Sequence, residues 1–205
     1  MLILKAYKFR LEHTAEQSQR LCQLCGCARS VWNHGPEETT SILDSGGKFS
    51  TAFELNRMLT MWKKTPKFAY LQEAYTDNLQ QKLKDLHGTW KRCFDKKLAA
   101  KQPVWKRKND GRDSIMFVNF EKYSRLENRR VKLPSGLGWI KFRQSQDVHG
   151  KIKNATFSQS AGKWYVSLQV DVETDEPKHE STSMVVLDAG VTKLATLSDG
   201  TVYHP

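Results

Sequence analysis

No stretch of the 205 residues is apolar for long enough to span a bilayer, so no membrane-spanning helix is expected. Nor does any basic amphipathic helix carry a Leu/Phe face free of other duties, which argues against a membrane surface as partner. The opening MLILKAYKFRL lacks the long apolar run and small-residue cleavage site of a signal peptide. Cysteine is scarce: Cys22, Cys25, Cys27 and Cys93 are the four, and three of them crowd into six residues. That is not a secreted disulfide framework. The C-x-x-C-x-C spacing could suggest zinc, but no second Cys or His pair follows at ligand spacing, so no zinc is expected. Free, partly buried thiols in a reducing cytosol fit better. Acid is scarce as well. There are 22 Asp and Glu against 33 Lys and Arg, a formal charge of +11. Such a surplus concentrates phosphate polyanions and releases their counterions on contact, so nucleic acid is the expected partner and the cytoplasm, close to the nucleoid, the expected place.

What is present can fold. Hydrophobic residues make up 39% and aromatics 10%, enough to bury a core. Residues 2–11 read as a strand that ends at His13-Thr14. Thr14 and Gln17 have capping-box spacing, and Leu21, Leu24, Cys25, Ala28, Val31 and Trp32 then follow at helical period. His34-Gly35-Pro36 should stop that helix, because proline cannot continue the ladder. Thr51 and Glu54 form a second capping box, opening a helix with Leu55, Met58, Leu59 and Trp62 on one face. The longest helical run links Leu71, Tyr75, Leu79, Leu83, Leu86, Trp90, Cys93/Phe94 and Leu98, with Gly88 its weak point. After Gly111 the period changes to two. Ile115–Phe120, Arg130–Leu133, Trp139–Phe142, Ile152–Ser158 and 163–172 are predicted strands, and short strands at this spacing suggest a small antiparallel barrel. Residues 173–183 are polar and hold Pro177. Met184–Leu187 then forms an apolar strand entering Asp188, and Leu194–Leu197 begins another that turns at Asp199-Gly200.

Two features carry chemistry. The first is basic: Lys91, Arg92, Lys96, Lys97, Lys101, Lys106, Arg107, Lys108 and Arg112 surround Trp105, with only Asp95 and Asp110 as counter-charges. Lys5, Lys8 and Arg10 on the first strand add to it. This pattern suits phosphate contacts, with Trp105 able to stack on a base. The second is Asp188, a carboxylate at the end of an apolar strand, followed by Ala189-Gly190 and a hairpin. RNase H-like nucleases present their first metal ligand in this way, although an ordinary strand-ending Asp has the same local pattern.

The ordered segments KAYKFRL, GCARSVWN, KTPKFAYL, NLQQKLKDL, KRKNDGRDSIMF, VKLPSGLGWIKFR, GKIKNATFSQSAGKWYVSLQVDVE and VVLDAGVTKLATLSDG resemble the TnpB (OrfB) family. Its members are RNA-guided nucleases of small bacterial insertion sequences, related to type V CRISPR effectors. The resemblance implies an α+β fold: a small wedge-like antiparallel β-barrel with an inserted helical recognition lobe, then the first β-hairpin of an incomplete RNase H-like (RuvC) domain. The implied boundaries are 1–12 for the first barrel strand, 13–111 for the lobe, 112–175 for the remaining strands, 176–183 for a linker and 184–205 for the RuvC start. The implied partners are a guide RNA from the transposon end, target DNA and the transposase of the same element. Asp188 matches the family's first RuvC carboxylate, a Mg²⁺ ligand in the intact enzyme. The later Glu, Asp, bridging helix and zinc ribbon have no counterpart here, so these residues alone are expected to bind without cutting. Val186-Leu187-Asp188-Ala189-Gly190 stands where the family usually has Gly-Ile-Asp-Leu-Gly, and His34-Gly35-Pro36 falls where its helix usually continues. Two alternatives remain. One is a helix-turn-helix DNA-binding transposase fragment or regulator, for which the gap between helices at 15–34 and 51–64 is far longer than the usual turn of about three to four residues. The other is a nuclease completed by a partner chain that supplies the missing acids.

Overall fold

Strand β1 (Leu2–Glu12) sits inside a seven-stranded antiparallel sheet curled into a half-barrel, ordered β2-β6-β7-β1-β5-β4-β3. The structure, a computed structural model, describes residues 1–108, 113–175 and 184–204. The other strands of this sheet are β2 (Ser114–Phe117), β3 (Arg125–Glu127), β4 (Arg130–Leu133), β5 (Gly138–Arg143), β6 (Lys151–Ser160) and β7 (Lys163–Glu173). β1 pairs with β7 from Leu2↔Glu173 to Arg10↔Tyr165, then with β5 from Arg10↔Arg143 to Glu12↔Lys141. Strict alternation sends Tyr7, Phe9, Leu11, Val131, Leu133, Ile140, Phe142, Trp164, Val166, Leu168 and Val170 to the buried face. The barrel expected from the spacing is open in the described residues: β2 and β3 are the two edges of the ladder.

Between β1 and β2 lie α1 (Ala15–Asp44), α2 (Ala52–Trp62), a 3₁₀ segment (Pro66–Glu73) and α3 (Thr76–Phe94); a four-residue helix α4 (Phe120–Tyr123) follows β2. Both capping boxes form. The Thr14 hydroxyl accepts from Gln17 N at 3.2 Å, and the Thr51 hydroxyl accepts from Glu54 N at 3.2 Å. The helices share one core with the sheet. Leu21, Leu55, Leu79, Leu83 and Leu86 are fully buried, each contributing roughly 1.5–3 kcal/mol. Polar ties fix the docking: Gln17 Nε2 donates to the Leu137 and Trp139 carbonyls, Arg20 Nε to the Ser135 carbonyl, and Trp164 Nε1 to the Ser18 hydroxyl.

Two expectations need correction. α1 does not stop at His34-Gly35-Pro36 but runs two turns beyond, to Asp44. Part of the clash a proline imposes on the preceding residue is with that residue's Cβ, and Gly35 has none. Gly35 also lets α1 approach α3 closely, because a Cβ there would meet Leu86 Cδ2 at 2.3 Å. Its neighbours hold the stretch in place. The His34 ring lies 4.6 Å from the rings of both Trp62 and Phe68, and the Thr39 hydroxyl donates to the Gly35 carbonyl. The third run is also not one helix. Pro66 opens a 3₁₀ segment, Ala74 and Tyr75 are extended, and α3 begins at Thr76 and ends at Phe94, short of Leu98.

Contacts divide the chain into two compact units, Leu2–Glu173 and Thr174–Pro205 with Met1. In the second, β8 (Leu187–Ala189), β9 (Ala195–Leu197) and β10 (Val202–Tyr203) form an antiparallel three-stranded sheet. The turn at Asp199-Gly200 is as expected, with Asp199 Oδ1 accepting from Thr201 N at 2.9 Å. The apolar strand into Asp188 is shorter than its sequence suggests: Met184, Val185 and Val186 precede it, and Asp188 is its middle residue.

Candidate nucleic-acid interface

The solvent face of the half-barrel carries the densest charge pattern of the sheet. The register that buries Phe142 and Val131 turns their neighbours outward, and three facing pairs across adjacent strands are cation against cation. These are Arg10↔Arg143 between β1 and β5, Arg130↔Lys141 between β5 and β4, and Arg125↔Lys132 between β4 and β3. Like charges directly opposite one another destabilise a sheet. Four carboxylates share this face: Asp171 and Glu173 on β7, Glu12 opposite Lys141, and Glu127 opposite Arg130. Glu12 is taken up by Arg143, at 2.8 Å, leaving a strong cationic excess. Trp139 lies among the cations, 5.7 Å from the Arg130 guanidinium and 6.0 Å from Lys132 Nζ. Lys8, on the same face of β1, covers the Tyr165 ring at 4.9 Å.

At one end of this face a groove of about 590 Å³ is lined by Glu12, Arg129, Arg130, Lys141 and Arg143. The β3–β4 turn shapes it. Asn128 and Arg129 both take positive φ, 46° and 59°, as a two-residue primed turn requires. A non-glycine, non-asparagine residue is uncommon there. The Arg129 carbonyl is held by Phe142 N at 3.0 Å.

The basic residues singled out from the sequence do not form one patch. Lys8 and Arg10 join the solvent face, whereas Lys5 points to the opposite side of β1 and lies 5.0 Å over the Tyr7 ring. Lys91 and Arg92 are exposed in the last turn of α3, where cations complement the helix dipole, and Lys96 and Lys97 follow it into solvent. Lys101, Trp105, Lys106 and Arg107 line a second cavity. Lys108 is exposed beside it, and Arg112 lies outside the described residues. Lys106 is half-buried. Desolvation and then Lys82 lower its ammonium's pKa, while Asp85 and Asp113 oppose the shift.

The residues that sequence reasoning overlooked are Arg125, Arg130, Lys132, Trp139, Lys141 and Arg143. A signal for part of this face was present in RVKL and WIKFR, which alternate basic or aromatic with apolar positions. That alternation placed the strands, but not what their outward side chains meet across the sheet.

Asp188 is exposed on β8, opposite Thr196. Among the described residues no three His, Cys, Asp or Glu side chains converge on a point where a metal could sit. Two Mg²⁺ ions on a scissile phosphate need several hard oxygen ligands, so the groups described here do not make such a site by themselves. Cys25, by contrast, is buried, and burial followed by Asp113 pushes its thiol pKa far up, which is the behaviour of an inert core thiol. No helix of the described residues is long and apolar enough to cross a membrane.

Comparison with known proteins agrees with the resemblance. Residues 1–48 match a family model, OrfB of IS605 type, described as a helix-turn-helix domain. In this structure those residues are β1 and the single helix α1, so the description does not match their geometry. The chain is 39% identical over 202 residues to an Escherichia coli K12 protein named "Putative RNA-guided DNA endonuclease InsQ", covering 98% of this chain and 49% of that protein. It is 31% identical over 199 residues to a Streptomyces pristinaespiralis protein named "Putative RNA-guided DNA endonuclease", covering 96% and 48%. The chain therefore spans about half the length of the curated relatives it matches. Across nearly all of its own length, it belongs to the TnpB (OrfB) family.

Proposed function

We propose that these residues form the nucleic-acid-gripping part of an RNA-guided DNA endonuclease, holding a guide RNA and the DNA paired with it. The observation that carries this reading is the trio of facing cation pairs on the solvent face of the half-barrel. Facing cations cost stability in the free protein, Glu12 and Glu127 offset only part of that repulsion, and a polyanion laid across β1, β5, β4 and β3 supplies the rest of the counter-charge. Phosphate contacts of this kind position a strand without reading it, which suits a protein whose sequence choice is made by base pairing.

In this reading the half-barrel is the wedge-like element, α1–α3 serve as the recognition lobe, and β8–β10 open an RNase H-like domain. The exposure of Met184, Val185, Val186, Leu187 and Val191 supports the last point, since an apolar stretch of this kind is normally covered by further structure. Asp188 would then be the first of several carboxylates holding Mg²⁺, the others lying outside this stretch. Residues 1–205 alone would bind without cutting. The transposase of the same element is the proposed protein partner, and the cytoplasm near the nucleoid the proposed location.

The direct test is purification at low salt without nuclease, followed by the 260/280 nm absorbance ratio and sequencing of what copurifies. Transposon-end RNA is expected, released as salt rises. Protein that emerges free of nucleic acid at low salt and ignores added RNA would remove the proposal.

A further inference from the structure

The cavity beside α1 and α3 has a build that the general basic surface does not. It encloses about 590 Å³ between Trp32, Thr89, Pro103, Trp105, Lys106 and Arg107. Its wall is a segment without helix or strand, yet that segment is clamped. Trp32 Nε1 donates to the Val104 carbonyl at 2.9 Å. Asn33 is buried and grips the Lys106 backbone twice, its Nδ2 donating to the carbonyl and its Oδ1 accepting from the N–H, both at 2.9 Å. Trp105 lies between these two anchors, so its backbone is held while its side chain remains 60% exposed. Among the described residues, the indole is left largely in solvent on a held backbone.

The charges around it are mainly cationic. Lys106 Nζ sits 3.7 Å over the Trp32 ring, and among the described residues no carboxylate forms an ion pair with it. Asp113 also lines the cavity, but Arg29 Nη1 donates to both of its carboxylate oxygens, at 2.7 and 2.9 Å, which neutralises it. Lys101 adds a further cation at the rim. The combination is a flat aromatic surface, a preformed recess and ammonium groups within it. That is what an unpaired nucleotide requires: a π-face for the base and cations for the phosphate.

We propose that this cavity captures one unstacked nucleotide of a single strand, its base on Trp105 and its phosphate at Lys101 and Lys106. The proposal rests on the nucleic-acid-gripping reading above and adds to it a second, base-dependent contact. It predicts a distinction that the sheet face does not, because a basic surface binds any polyphosphate equally well.

The test uses the intact chain with Trp105→Ala and Trp105→Phe. Three labelled probes of equal length are titrated: oligouridylate, oligodeoxythymidylate and inorganic polyphosphate. Trp105→Ala should weaken the oligonucleotides roughly 5- to 100-fold, the loss expected from deleting one base–aromatic stack. Trp105→Phe should recover most of it, and polyphosphate affinity should be the same in all three proteins. The RNA and DNA probes show whether the sugar matters. The inference is overturned if Trp105→Ala binds oligonucleotide as tightly as the parent, if polyphosphate loses as much as RNA, or if oligoglutamate competes as well as oligonucleotide. Because Trp105 is exposed, the variant's melting temperature should match the parent's. A parent that binds no oligonucleotide at low salt would instead remove the broader reading along with the cavity. A parent that binds with Trp105 indifferent removes the cavity alone.

Discussion

The same substitution, Gly→Ala, should have opposite effects at two places in this fold. In a helix interior, alanine is favoured over glycine by about 1 kcal/mol. At Gly88 of α3 nothing lies within 4 Å of where a Cβ would be, so Gly88→Ala should stabilise by roughly that amount. At Gly35 of α1 the new Cβ would come within 2.3 Å of Leu86 Cδ2, about 1.5 Å inside ordinary carbon contact, and 3.7 Å from Leu83 Cδ2. Leu86 is fully buried and cannot swing into solvent. Overpacking of this kind costs about 1–3 kcal/mol, and a Cβ before Pro36 adds the clash that glycine avoids. After the helix gain is subtracted, Gly35→Ala should lose roughly 1–2 kcal/mol. For a unit of this size each kcal/mol moves the melting temperature by about 2–4 °C. Gly35→Ala should therefore melt about 2–8 °C lower and Gly88→Ala about 2–4 °C higher, by circular dichroism at 222 nm. If Gly35→Ala melts as high as Gly88→Ala, then α1 does not pass unbroken beside Leu86 and the account of Pro36 is wrong.

Further outcomes can be checked with little material. Cys22 is exposed while Cys25 is buried with a strongly raised thiol pKa, so iodoacetamide at neutral pH should label Cys22 first and spare Cys25 until denaturant is added, as read by peptide mass spectrometry. Burial, followed by Asp77, raises the Tyr75 phenol to about 12, so one of the six tyrosines should ionise late in a titration at 295 nm. Between pH 10 and 12 the unfolded chain would release that proton while the folded chain keeps it. Tyr75's contribution to stability should therefore fall as pH rises through that window, and a Tyr75→Phe variant should fall less steeply in urea melts.

Local chemistry was readable from the sequence where a few neighbouring residues decide the outcome. Thr14 with Gln17 and Thr51 with Glu54 mark helix starts because a capping box is complete within four residues. The alternation from Trp164 to Val170 fixes which side of β7 is buried. Pro36 removes one bond of the ladder without ending the helix, because Gly35 relieves the Cβ part of the clash and packing of His34 and Gly35 against Trp62, Phe68 and Leu86 holds the stretch. The Leu71–Leu98 periodicity crossed a break because leucines in a 3₁₀ segment and an α-helix can face the same core. The cationic face was hidden for another reason. Arg10 and Arg143 are opposite one another only through the β1–β5 register, which depends on residues more than a hundred positions apart. The clamp of Asn33 on Lys106 is equally non-local. Asp188 shows the converse: the sequence pattern marks it, while among the described residues no three metal-ligating side chains come together.

If the solvent face of the half-barrel grips phosphates, the salt dependence of binding must register each contact it makes. For single strands, log K falls with log salt by about 0.7 per phosphate contact. Arg130→Gln with Lys132→Gln removes one cation from each of two facing pairs and leaves the buried side of β4 untouched. Fluorescence anisotropy with a labelled single-stranded RNA, repeated across a series of sodium chloride concentrations, should give a slope shallower than the parent's by about 1.4. Parallel slopes, with the double variant binding as tightly as the parent at every salt concentration, would contradict the account.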